Sequence, residues 1–244
     1  MNKLRIQSMW AGLLIMAVGL FSSFSGVQPE AQRETRTVGP FTEVNLGGSA
    51  HVVLKQGSPQ SVVVEASPEA LADFETVVED KQLHLRYRRD KKGGNWGSYK
   101  DRGPVTVYVT APTLTALRVG GSGKLEVEGP LQADNMTLAM AGSGDLRVPQ
   151  LTASRLETAL AGSGNVLVGG NCPSQEVRLS GSGNVKARDL KTKTCKVRIS
   201  GSGNAHVYAS EAVEADISGS GNVAVAGGGR LSSSTRGSGR ITTE

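Results

Sequence analysis

The sequence predicts an all-β protein, most of it a right-handed, single-stranded parallel β-helix (a solenoid) with rungs of ~19 residues. Three observations carry this. Gly-Ser-Gly occurs seven times, starting at residues 121, 142, 162, 181, 201, 219 and 237, with spacings of 18 to 21. Apolar residues alternate with period 2 on both sides of each motif, as in strands with one buried face. Aligned copies also carry like residues in like columns, which favours stacked rungs over an antiparallel meander because stacked side chains meet their own counterparts. The right hand follows from the general rule for parallel crossovers.

The first 25 of the 244 residues read as a signal peptide. Lys3 and Arg5 precede an apolar run from Met9 to Phe21, and Ser22, Ser23 and Ser25 supply small residues for cleavage. No cysteine stands nearby to carry a lipid anchor, and no second apolar run is long enough for a spanning helix. Export to the periplasm, cell surface or medium is therefore expected. Removing Lys3 and Arg5 lowers the formal charge from +5 to +3, a weak case for nucleic acid as a partner. Residues 26–38 read as a disordered linker.

Residues 39–119 read as an irregular β-rich portion. Val44 and Leu46, then Gly47-Gly48-Ser49, then Val52 and Leu54 form a degenerate copy of the strand–turn–strand unit. A Val-rich strand follows from Ser61 to Glu65. Ser67-Pro68-Glu69 then supplies an N-cap, a proline at the first helical position and an acidic first turn, so one short helix should end near Phe74. Further strands are expected around Thr76–Val78, Leu83–Tyr87 and Val105–Val109, with a turn at Asp80-Lys81.

Residues 120–244 read as the regular β-helix. Inward columns before the corner are Val119, Met140, Leu160, Leu179, Ile199, Ile217 and, two residues earlier, Leu117, Leu138, Thr158, Val177, Val197, Ala215. Those after it begin at Leu125, Leu146, Val166 and Val185, and Leu131, Leu151 and Leu190 suggest a third short side. Asn165, Asn184, Asn204 and Asn222 follow four successive corners and predict a side-chain amide ladder. The last copy has Ser233 and Thr235 at inward positions and arginines at 236 and 240, the composition of a cap.

Beside this reading, the chain resembles the putative auto-transporter adhesins with a head GIN domain. The resemblance rests on Phe41-Thr42-Glu43-Val44, Leu54-Lys55-Gln56-Gly57, Val62 to Ala66, Val107 to Pro112 and the serial Ser-Gly-Ser-Gly-Asn turns, and covers about residues 38–240. It implies an exported β-helical protein of bacterial envelopes with no established activity. Gly48-Ser49-Ala50 stands where the family name has Gly-Ile-Asn, and with Glu244 last, no C-terminal barrel is expected.

Many β-helices act on polysaccharides, which requires converging carboxylates on one outward face. The outward columns read Arg118, Ala139, Ala159, Arg178, Arg198, Asp216 and Glu126, Arg147, Leu167, Lys186, His206, Ala224, without such a cluster. The expectation is a non-enzymatic binding or adhesion scaffold; the alternatives are a polysaccharide lyase or hydrolase, or a self-associating structural protein. His51, His84 and His206 are scattered and the cysteines lack metal-site spacing, so neither a metal nor a cofactor is expected. Cys172 and Cys195 are candidates for a disulfide, with two free thiols as the alternative. The candidate ligand-binding residues are Arg86, Arg88, Arg89, Lys91, Lys92, Trp96 and Tyr99, within the stretch Arg86 to Arg102, which holds seven basic residues against two acidic ones. Such a segment could hold an anionic glycan or envelope polymer by stacking and ion pairing; a solvated connection is the plainer reading.

Overall fold

The computed structural model describes residues 31–88 and 103–244. It is mostly β, with a β-solenoid of about six turns and one short helix. The strands in chain order are β1 (Gln32–Thr35), β2 (Glu43–Gly48), β3 (His51–Gln56), β4 (Ser61–Ala66), β5 (Phe74–Glu79), β6 (Gln82–Tyr87), β7 (Thr106–Ala111), β8 (Ala116–Gly121) and β9 (Lys124–Val127). The regular part adds β10 (Leu131–Gly142), β11 (Asp145–Gly162), β12 (Asn165–Asn171), β13 (Ser174–Gly181), β14 (Asn184–Ala187), β15 (Leu190–Lys191) and β16 (Thr194–Gly201). It closes with β17 (Asn204–Tyr208), β18 (Ala212–Gly219), β19 (Asn222–Ala226), β20 (Arg230–Gly237) and β21 (Arg240–Thr243).

Each rung has a leading strand, a glycine corner and a trailing strand. Leading strands stack in parallel in the order β6, β2, β8, β10, the second half of β11, β13, β16, β18, β20. Trailing strands stack as β7, β3, β9, the first half of β11, β12, β14, β17, β19, β21. A short third side joins β10, β11, β12 and β15, and its Leu131, Leu151 and Leu190 are fully buried. The registers reproduce the sequence columns: Leu117, Leu138, Thr158, Val177, Val197 and Ala215 lie in one inward row.

The corners explain the motif. The first glycine of each copy from residue 121 to 237 has φ between +117° and +135°, a region closed to most side chains. Its carbonyl accepts two N–H groups from the next rung: Gly162 O takes Ser182 N and Gly183 N, both at 2.9 Å. The second glycine is required by proximity, because a Cβ on Gly183 would meet the Gly164 carbonyl and a Leu160 methyl below 3 Å. The amide ladder forms as expected. Asn165 Nδ2 donates to Asp145 Oδ1 at 2.9 Å, Asn184 to Asn165 and Asn204 to Asn184 at 3.1 Å, and Asn222 to Asn204 at 2.9 Å.

The N-terminal portion is part of the same stack. The rung of β2 and β3, first in sequence, is second in space, clamped between β6–β7 and β8–β9. The chain then runs outward to close the end. β4 pairs antiparallel with β7 and β5 antiparallel with β6. Helix α1 (Pro68–Asp73) follows Ser67, whose Oγ accepts Ala70 N at 3.2 Å, and it buries Ala70 and Leu71. Phe74 meets Tyr87 edge-on at 5.3 Å. Asp80 and Lys81, both at positive φ, make the tight turn expected there. One apolar core cluster runs from Phe41 to Val225, and the boundary placed at 119/120 falls inside β8.

Within the expected 26–38 linker, the structure differs at β1, which pairs antiparallel with β4. All four β1 side chains are exposed, so no apolar alternation marks it in the sequence. It is held by backbone pairing, by Arg33 Nε to Glu65 at 2.7 Å and by the Arg33 guanidinium 5.2 Å over Tyr108. At the opposite end, β20 and β21 are exposed, with Leu231 and Ile241 only half-buried.

Candidate functional site

Gly47 pairs with Arg86 and His51 with Thr106, so the two ends of the segment singled out in the sequence are fixed by β6 and β7. Glu75 of β5 holds both described arginines, Arg88 Nε at 3.0 Å and Arg86 Nε at 3.7 Å. Arg89, Lys91, Lys92, Trp96 and Tyr99 lie outside the described residues.

The outward columns also fall as read. Arg118, Ala139, Ala159, Arg178, Arg198 and Asp216 lie in one row of the leading face. Glu126, Arg147, Leu167, Lys186, His206 and Ala224 lie in one row of the trailing face. Asp216 faces Arg198 at 3.9 Å, while His206 stands between Lys186 and Ala224 on the other side. Glu126 takes a hydrogen bond from Lys124, which with Arg147 holds its carboxyl below the usual range. Among the described residues no three His, Cys, Asp or Glu side chains group to hold a metal ion.

The disulfide is not formed: Cys172 and Cys195 are both free and buried. Register separates them. Gln175 pairs with Cys195, whereas Cys172 follows Asn171, which pairs with Lys191. Cys172 Sγ donates to Ser174 O at 3.2 Å, and Cys195 Sγ faces Gln175 Oε1 at 3.7 Å. Burial pushes both thiols up, Cys195 to about 12. In the unfolded chain a cysteine ionises near 8.5. Its folded pKa is the higher one, so the stability tied to the neutral thiol is complete below pH ~8.5 and is lost as pH rises towards 12, a loss on the order of a few kcal/mol. Urea unfolding of wild type and Cys195→Ala at pH 8 and pH 11 should show the smaller alkaline loss in the variant.

The leading face carries a groove of about 900 Å³. Its floor is two rows wide. Nearest the corner, Gly47, Gly120, Ala141 and Ala161 succeed one another, then Ser180, Ser200 and Ser218. Arg86 and Arg236 stand at the two ends of that row. In the neighbouring row Ala139 and Ala159 lie between Arg118 and Arg178. The arginines lean towards acids beside the floor: Arg118 pairs with Glu43, and Glu176 takes Arg178 at 2.7 Å and Arg198 at 3.4 Å. Arg236 is exposed and has no ion-pair partner among the described residues. The signal for the groove in the sequence is the small residue one position before each of the first six Gly-Ser-Gly copies, from Gly120 to Ser218, with Arg236 before the seventh.

The described residues thus form a repeat protein of the parallel β-solenoid class, with a groove on its leading face. The chain belongs to the family described as "Putative auto-transporter adhesin, head GIN domain", whose model matches residues 40–229. No curated protein matches it. Among solved structures it is similar to a putative adhesin from Bacteroides fragilis at 23% identity, with TM-score 0.77, covering 90% of this chain and 100% of that one. A putative lipid binding protein from Parabacteroides distasonis is 25% identical, with TM-score 0.75, over 88% of this chain and 97% of that one. A putative adhesin from the same organism is 18% identical, with TM-score 0.70 and coverage of 88% and 97%. Among the described residues no helix is long and apolar enough to cross a membrane.

Proposed function

We propose that this is an exported cell-envelope protein that works by binding, without catalysis, and that the groove on the leading face is its recognition surface. The carrying observation is the groove itself: about 900 Å³ over a floor of small side chains on a continuous ladder. Recognition favours such a surface because little ordering entropy is lost when the scaffold is already rigid. The adhesin naming of the family and of two structural neighbours supports binding as the role. The apolar run before Phe21 supports export.

Ala161→Gln places a long side chain on the groove floor at an exposed outward position. Retention of the purified variant on envelope fractions should fall at least about tenfold against wild type, with unchanged melting. Equal retention would reject the groove as the surface. Reducing ends released from glycans by the wild type would favour the enzyme reading instead. The basic segment from Arg86 to Arg102 is a second contact candidate, for an anionic glycan or envelope polymer. Joint replacement of Arg88, Arg89 and Trp96 by alanine should weaken retention on such polymers, and unchanged retention would remove that candidate.

A further inference from the structure

The two ends of the stack are finished differently, and the difference points to a partner. At the N-terminal end the terminal rung is covered: β5 lies antiparallel on β6, and β4 antiparallel on β7. β5 packs Phe74 and Val78 on the core and sets Glu75 opposite Arg86, where it takes Arg88 at 3.0 Å and Arg86 at 3.7 Å. Beneath that cover Leu83 and Leu85 of β6 are fully buried. At the C-terminal end β20 pairs with β18 and β21 with β19, and among the described strands neither has a second partner, so each keeps one open ladder edge. Leu231 and Ile241, the apolar inward residues of that rung, stay half-buried. Arg230, Arg236 and Arg240 stand exposed there and pair with no acid among the described residues, although every other described arginine does.

We infer that the C-terminal rung is a docking edge for an extended acidic segment of a partner protein, which adds to β20 as an antiparallel strand. Docking there needs no ligand in the groove. An open strand edge offers N–H and C=O groups at the period of a peptide backbone, which a polysaccharide or a lipid head does not match. Arg230 and Arg236 lie outward near the two ends of β20, and Leu231, Ser233 and Thr235 lie inward between them, over the buried Val213, Ala215 and Ile217. A strand with acids six positions apart therefore meets both guanidinium groups, which take carboxylates bidentately, while its inward residues cover Leu231. This is the finish that β5 and Glu75 give the opposite end. A second copy of the chain does not fit. Two C-terminal ends would set arginines against arginines. At the N-terminal end the trailing sheet adds β4 and β1 where the leading sheet adds only β5, so an incoming last rung would meet β1 before β20 reached β5.

The test titrates the full chain with the end-blocked peptide Glu-Val-Thr-Val-Thr-Val-Glu, followed by calorimetry and by backbone amide NMR shifts. Parallel titrations use Lys-Val-Thr-Val-Thr-Val-Lys, the strand-breaking Glu-Val-Thr-Pro-Thr-Val-Glu, and polygalacturonate. The glutamate peptide should bind one to one and shift the amides of β20, and the other two peptides should bind at least about tenfold more weakly. Joint Arg230→Glu and Arg236→Glu replacement should reverse the order of the glutamate and lysine peptides, a reversal that a folding defect would not produce. Ala161→Gln, on the groove floor, should leave peptide binding unchanged. No binding of the glutamate peptide, equal affinity for the proline peptide, shifts confined to other strands, or no reversal in the double variant would overturn the inference. Polygalacturonate binding that the double variant abolishes, with no binding of the glutamate peptide, would make the end a polyanion site and reject strand addition.

Discussion

Gly181→Ala should destabilise the protein by about 3–5 kcal/mol, an effect out of proportion to one methyl group. Two costs fall on the same atom. The residue sits at φ +118°, where an L side chain is strained, and an added Cβ would lie 2.5 Å from the Gly162 carbonyl oxygen. That oxygen accepts Ser182 N and Gly183 N, so moving it away strips two hydrogen bonds from the corner. The neighbours cannot yield easily, because Gly201 stands on Gly181 in turn and an added Cβ there would also meet a backbone oxygen below 3 Å. Ser182→Ala, at the exposed tip of the same corner, should change stability by less than about 0.5 kcal/mol. Urea unfolding of the pair measures the difference directly, and similar midpoints would refute this account of the motif.

Leu146→Ala should cost about 2–5 kcal/mol, whereas Ile241→Ala should cost less than about 1 kcal/mol. Leu146 is fully buried, with Leu125 below it and Val166 above. A cavity there faces apolar side chains on two neighbouring rungs that are already fixed by their own ladders. Ile241 lies in the exposed last rung, half-buried, with a neighbour on one side only among the described strands. In a stack whose stability is a sum of rung and interface terms, an inner rung loses two interfaces and an end rung one. Amide exchange would separate the cases: Leu146→Ala should lower protection in β9, β11 and β12, and Ile241→Ala only in β19 and β21. Equal losses for the two variants would contradict the nearest-neighbour picture.

The regular rungs were readable because stacking makes the sequence report on its own contacts. Each residue lies over its counterpart, so the columns at Val119, Met140, Leu160 and Leu179 are the registers themselves. The cap of the helix was readable for a different reason, the local chemistry of Ser67 and Pro68. The spatial order of the first rungs was not. No Gly-Ser-Gly stands between β6 and β7 in the sequence to mark their rung, and the antiparallel partners β4 and β5 do not repeat the residues they pair with. β1 escaped notice because none of its side chains is buried. Of the two alternatives for the cysteines, the free thiols are what the structure has: Cys172 and Cys195 stand nine and six residues before their next glycine corners, and the pairing of Gln175 with Cys195 keeps that three-residue offset. At the groove, the columns of the sequence are the rows of the floor, but Ala139, Ala141, Ala159 and Ala161 carry no ionisable group that would mark them in the sequence.

The asparagine row has a directional consequence. Every amide donates from Nδ2 towards the N-terminal end and presents Oδ1 towards the C-terminal end. Four aligned side-chain dipoles therefore add head to tail, each polarising the next. The electropositive end of that row rests on the Asp145 carboxylate, and the electronegative end, at Asn222, points to the rung where Arg240 is the paired residue. An anion and a cation thus bracket the amides in the sense that favours them, as charged residues do at the two ends of a helix. A row of neutral side chains gives this solenoid a polarity along its axis that no backbone dipole of a β-sheet supplies.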